Sequence, residues 1–251
     1  MQLFLAVTPQ EIPAVSRAVK SLCHVAYRIG PESSLLRRDL PPGVQGGMLS
    51  VSDLDAPAVT DPPRLSEAVL RECGRRRFSG VVLDFENLLA PDKEAFIRAL
   101  APALGKSRRL LFVPERCAAA GGIPLVNTAL SGGNCQQRIQ EAVSRYRRIA
   151  LDLQRLQMDF SLPCRSGEGR PLTAEQLQKL TAAEKPAVFF SPDLCARYFT
   201  YHREGQTHFV LFDDAETLRR KIRLGNSLGV EFGFLMYPEV RDLLERIFQR
   251  P

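Results

Sequence analysis

Residues 78–88 read FSGVVLDFENL, an apolar run that closes on two carboxylates, Asp84 and Glu86, one residue apart. In an extended strand, alternation places Gly80, Val82, Asp84 and Glu86 on one face and Val81, Leu83 and Phe85 on the other. The second set is wholly apolar and should pack under helices. The first is apolar until its acidic end. A strand that is apolar on both faces belongs in a parallel sheet covered by crossover helices.

Runs of the same kind recur outward from this one. In chain order they are Leu3–Val7, Val25–Ile29, Gly47–Val51, Gly80–Phe85, Leu110–Val113, Leu156–Phe160, Ala187–Phe190 and Phe232–Met236. Segments with helical periodicity separate most of them: Glu11–Ser21, Arg64–Cys73, Lys93–Leu104, Gln136–Leu153, Ala174–Leu180 and Ala215–Asn226, with Arg241–Phe248 closing the chain. Eight such units in 251 residues is the count of an α/β (β/α)8 TIM barrel, read as a single domain over 1–251. Two stretches depart from the alternation. PESSLLRRDLPPGVQ, between runs two and three, is too rich in Pro and Gly for a helix, so that barrel helix is expected to be reduced to a loop. CARYFTYHREGQTHFVLFDD, before run eight, reads as a β-hairpin insertion about a Glu-Gly-Gln turn.

Composition narrows the function classes. The net charge of +6 comes from short Arg and Lys clusters on predicted helices, which reads as solvated faces and not as a nucleic-acid surface. The apolar N-terminal stretch is about five residues long with no basic segment before it, so it is expected to be a strand and not an export signal. Nothing approaches the eighteen or so apolar residues of a membrane span. The default expectation is a cytoplasmic protein without a membrane partner, or an extracellular or cell-wall one if the chain is part of a longer protein. Six cysteines without a CxxC pair argue against zinc, and neither metal nor cofactor is expected.

In a barrel of this class the active site lies at the C-terminal ends of the strands. The residues closing the runs are Thr8, Arg28, Ser52 and Asp53, Asp84 and Glu86, Glu115, Asp159 and Ser161, Ser191 and Asp193, and Tyr237 and Glu239. Strand-end Asp and Ser often cap the following helix, and Asp53, Asp193 and Ser52 are read so. Asp84 and Glu86 are separated by about 6.6 Å of strand and both face the barrel axis. Two acids so placed repel, one pKa rises, and a proton is shared, which is how a general acid is kept protonated near neutral pH.

FSGVVLDFE resembles the strand-four signature of glycoside hydrolase family 18, the chitinase-like barrels, commonly written DGxDxDxE. Gly80, Asp84 and Glu86 match, Phe85 stands where Trp is frequent, and Ser79 and Val82 replace the first two acids. RLQMDFSL is similar to the family's strand-six MxYD segment, with Phe160 for Tyr and Ser161 for Asp. THFVLFDDAETLRRKI followed by GVEFGFLMYPE resembles the C-terminal pattern of its compact spore-cortex and cell-wall members, with Tyr237 in the place of the Trp that floors the sugar subsite.

The resemblance implies substrate-assisted retaining hydrolysis of β-1,4-linked N-acetylglucosamine glycans, of chito-oligosaccharide or peptidoglycan type. Glu86 would be the general acid and Asp84 the residue that orients the acetamido group. Tyr237, Tyr27, Asp159, Phe160, Ser161, Glu115 and Ser191 would supply substrate contacts. A carbohydrate is then the expected partner. The competing reading is a chitinase-like barrel that binds sugar without turnover, as the loss of Tyr and two Asp suggests. A third, with Asp84, Glu86 and Glu115 as metal ligands, has the least support, because His24, His202 and His208 do not fall at strand ends.

Overall fold

The computed structural model describes residues 1–15, 19–87, 90–164 and 167–248. Leu88 of the opening stretch and part of the expected Glu11–Ser21 helix lie outside the described residues. Eight parallel strands form a closed barrel: β1 (Gln2–Val7), β2 (Leu22–Gly30), β4 (Met48–Ser52), β5 (Gly80–Asp84), β6 (Leu110–Pro114), β7 (Ile123–Asn127), β8 (Ala150–Asp152) and β14 (Phe232–Met236). Pairing of β14 with β1 and of β1 with β2 closes the ring. An antiparallel strand, β3 (Ser34–Arg37), follows β2 where no helix was expected, and only a 3-10 turn, Pro31–Ser33, lies between them. No helix among the described residues is long and apolar enough to cross a membrane.

Alternation sorts the core. Inward-facing Phe4, Val82, Phe112, Phe232 and Phe234 fill the barrel, with Phe4 and Phe234 stacked at 5.1 Å and Phe112 edge-on to Phe234 at 4.9 Å. Outward-facing Val81, Leu83 and Phe85 pack against α2 (Pro62–Arg75) and α3 (Pro91–Lys106). Leu5, Leu151 and Leu235 pack on the other flank with Ile139 of α4 (Cys135–Arg145) and Leu218 of α6 (Ala215–Ser227). The other described helical pieces of the barrel are α1 (Ile12–Val15), α7 (Tyr237–Val240) and α8 (Leu244–Phe248).

Two of the eight expected strands are elsewhere. The sixth barrel strand is β7 and the seventh is β8. Leu156–Phe160 and Ala187–Phe190 instead contribute to β9 (Gln157–Leu162) and β11 (Phe189–Ser191) of a second, antiparallel sheet. That sheet also holds β10 (Arg170–Pro171), β12 (Ala196–Arg203) and β13 (Gln206–Phe212), in the order β10-β9-β13-β12-β11. The expected hairpin is its centre: β12 and β13 turn at Glu204 and Gly205, both at positive φ (51° and 74°), as a two-residue primed turn requires. One face of this sheet is covered by α5 (Ala174–Glu184), through Leu177 and Leu180 against Phe199 and Val210. The insertion is therefore a lobe with its own core, larger than a hairpin.

The misplacement has a local cause. Ile139, Ala142, Tyr146, Ile149 and Leu153 keep helical spacing across the end of α4 and through β8, so periodicity alone runs helix and strand together. In β7, Pro124 breaks the strand signal, yet pairing with β8 begins only at Leu125, beyond the proline. The β6–β7 crossover carries no α-helix either, only the 3-10 segment Glu115–Ala120 and two glycines, Gly121 and Gly122, at φ 127° and 96°.

Candidate active site

A cavity of about 460 Å³ opens at the C-terminal ends of the strands, floored by Val82, Phe234 and Met236. Asp84 ends β5 and faces inward beside Cys23 of β2. Burial first, then the charges of Glu86 and Asp53, push its carboxyl above the usual range. Glu86 lies two residues on, past the strand end, and lines the same cavity from an exposed position. Phe85 between them turns outward, buried against Phe96, with Lys93 Nζ 5.6 Å from its ring centre. The parity expected from the sequence is thus present at this strand end.

The backbone that carries Glu86 is held from both sides. The Glu86 N–H donates to Asp53 Oδ1 at 2.8 Å, and Asn87 Nδ2 donates to the Asp53 carbonyl at 2.9 Å. From the 3-10 segment after β6, the Arg116 guanidinium donates to the Phe85 carbonyl and, at 3.3 Å, to the Asn87 carbonyl. Asp53 is fully buried and paired with Lys93.

The opposite wall is acidic as well. Asp152, at the end of β8, has its carboxyl pushed up to about 6, chiefly by burial and then by Glu239 and Asp84. Glu239, one residue past the α7 proline, is raised by burial while its Oε2 accepts the Arg155 N–H at 2.9 Å. Asn127, closing the true sixth strand, donates to Gln154 Oε1 at 2.7 Å and to Asp152 Oδ2 at 3.4 Å. Among the described residues, no group of three or more His, Cys, Asp and Glu side chains is placed to hold a metal ion.

Of the residues assigned to the site from the sequence, Asp84, Glu86 and Glu115 line this cavity, Glu115 being ion-paired through both oxygens to Arg138, and Glu239, marked there only as a strand-end residue, lines it too. The others are not brought there. Tyr237 follows Met236 and takes the outward parity, so it is buried among Leu5, Leu235 and Val240 under the helices, and Met236 holds the inward position. Tyr27 points outward past a β-bulge and donates to Glu72 Oε1 at 2.9 Å. Asp159, Phe160 and Ser161 belong to β9 of the inserted sheet. There Asp159 accepts from Tyr201 Oη at 2.9 Å and contacts His208 Nδ1 at 3.0 Å, and Phe160 packs on Phe209. Ser191 is on β11, where its hydroxyl accepts the Leu194 N–H at 3.3 Å. Asp53, read as a cap, instead supports the site. Asp152 was hidden inside an apparent helix, and only its strand-end position could have revealed it.

No protein-family model matches the sequence, and no curated protein matches it. Solved structures do match. The spore cortex-lytic enzyme SleL of Bacillus megaterium QM B1551 superposes at a TM-score of 0.67 and 17% identity, over 99% of this chain and 74% of that one. A chitinase from Chromobacterium violaceum gives 0.70 at 16% identity, over 98% of this chain and 99% of that one. The fold is that of the chitinase barrels. A GH18 chitinase from Cycas revoluta, solved in complex with (GlcNAc)4, extends the likeness at 0.66 and 14% identity, over 99% and 98% of the two chains. The chitinase fold therefore holds across nearly the whole length, the inserted lobe included.

Proposed function

We propose that the protein is a glycoside hydrolase of the family 18 kind, cleaving β-1,4-linked N-acetylglucosamine glycans of chito-oligosaccharide or peptidoglycan type. One observation carries the reading: Asp84 and Glu86 close the fourth strand of a chitinase-type barrel and line one cavity, Asp84 half-buried and Glu86 exposed. Glu86 protonates the glycosidic oxygen while the substrate's own 2-acetamido oxygen attacks the anomeric carbon, so no enzyme nucleophile is needed. Asp84, whose raised pKa favours its protonated form, orients the acetamido group and shares its proton with Glu86. Glu115 and Asn127 flank the same cavity.

Release of a fluorophore from a chitotrioside reporter tests this. Glu86→Gln is expected to lower turnover by about 10²-fold or more, the usual worth of a general acid. Undiminished turnover in that variant sinks the assignment. A binding protein without turnover is the second reading, favoured by Val82 under Asp84 and by Asn127, not tyrosine, on the inward rim of the sixth strand. Binding of chitotriose with no turnover by the unaltered protein would select it.

A further inference from the structure

We propose that Asp53 and Lys93 form a buried strut that positions the backbone bearing Glu86, with Asp53 as the positioning residue. The inference rests on the reading of Glu86 as the acid. Asp53 follows β4 by one residue and Lys93 lies in the first turn of α3, so two elements remote in sequence meet behind the end of β5. Every polar group of Asp53 is committed to that junction. Its N–H donates to the Asp84 carbonyl at 3.3 Å, its carbonyl accepts Asn87 Nδ2, Oδ1 accepts the Glu86 N–H, and Oδ2 takes the Lys93 ammonium. Asp53 is 0% and Lys93 7% exposed.

A buried ion pair is a poor device for stability alone, because apolar residues of similar volume do as well or better. What apolar residues cannot supply is an acceptor for the Glu86 N–H. Phe85 is anchored in the outer core, so the Glu86 side chain is set by the peptide that follows Phe85, and Asp53 fixes that peptide. Burial alone would raise the Asp53 carboxyl, but Lys93 and the N–H donors of the 86–87 segment hold it below the usual range, so it stays an acceptor. Misplacement of a catalytic group by about 1 Å can cost up to about 10²-fold in rate.

Two neutral pairs separate positioning from packing. Asp53→Asn with Lys93→Met keeps an oxygen for the Glu86 N–H, whereas Asp53→Ala with Lys93→Met removes it. On the chitotrioside reporter, the alanine pair is expected to lose about tenfold or more in kcat with KM within about twofold, while the asparagine pair stays within about threefold of the unaltered protein. Amide hydrogen exchange at Glu86 is expected to quicken about tenfold or more in the alanine pair only. Should that pair fail to fold, Asp53→Glu, which keeps the charge and displaces the acceptor, is expected to show the same kcat loss and faster exchange. Equal kcat in the two pairs, or unchanged exchange at Glu86, overturns the strut. Faster exchange without turnover by the unaltered protein would leave the strut standing and overturn the hydrolase reading.

Discussion

Asp152 ends a three-residue strand with its carboxyl raised from 3.8 to about 6, and that shift has a stability consequence with a definite sign. An acid whose folded pKa exceeds its unfolded value holds its proton more tightly when folded, so its favourable contribution is complete below the unfolded pKa. It is lost as pH rises from about 4 to about 6, and the penalty is constant above that. Asp152→Asn is therefore expected to raise stability above about pH 6 by about 1–3 kcal/mol and to flatten the profile below it. Urea unfolding across this range checks the prediction. At this scale the sequence was legible where parity decides: Asp84 inward, Phe85 outward. The same parity, carried to the last barrel strand, should have turned Tyr237 away from the cavity, since Phe234 and Met236 take the inward side.

Among the elements, α6 is joined to the base of the inserted lobe, where the chain leaves and re-enters the barrel, by a fully buried charge pair. Asp213 Oδ2 accepts Lys221 Nζ at 2.7 Å and the Leu156 N–H at 2.9 Å, while Oδ1 accepts the Thr217 hydroxyl at 2.8 Å. Both side chains are 0% exposed. Lys221→Met strands the Asp213 charge and is expected to cost about 3–5 kcal/mol, and adding Asp213→Asn should recover more than half of it. A double-mutant cycle by chemical denaturation measures both values; additive losses would contradict the coupling. Helices with marked apolar faces and caps, such as α2 behind Asp61 and α6 behind Asp214, were readable because their signals are local. β7 and β8 were not. A five-residue strand interrupted by proline and a three-residue strand in phase with the preceding helix carry almost no signal of their own, and their neighbours in the ring hold them in place.

At the scale of the molecule, the described residues form a barrel interrupted once, between β8 and α6. The two ends of that interruption touch: the Asp213 N–H donates to the Leu156 carbonyl at 2.7 Å. Replacing residues 157–212 with a short Gly-Ser linker is thus expected to leave a barrel that melts in one cooperative transition at a lower temperature. The loss follows from removing Cys195 and Phe190, which pack on the barrel's outer core. Thermal unfolding followed by circular dichroism tests it, and loss of cooperativity would show that the lobe is needed to close the barrel. The sequence by itself determined the barrel class and the cavity-facing parity of Asp84, because alternation and helical spacing are properties of neighbouring residues. Only the tertiary structure decided which eight segments close the ring, which two belong to the lobe, and that Asp53, Asp152 and Glu239 gather around the β5 carboxylates. Those contacts join strands 30 to 155 residues apart, and closure of the barrel, not local preference, selects them.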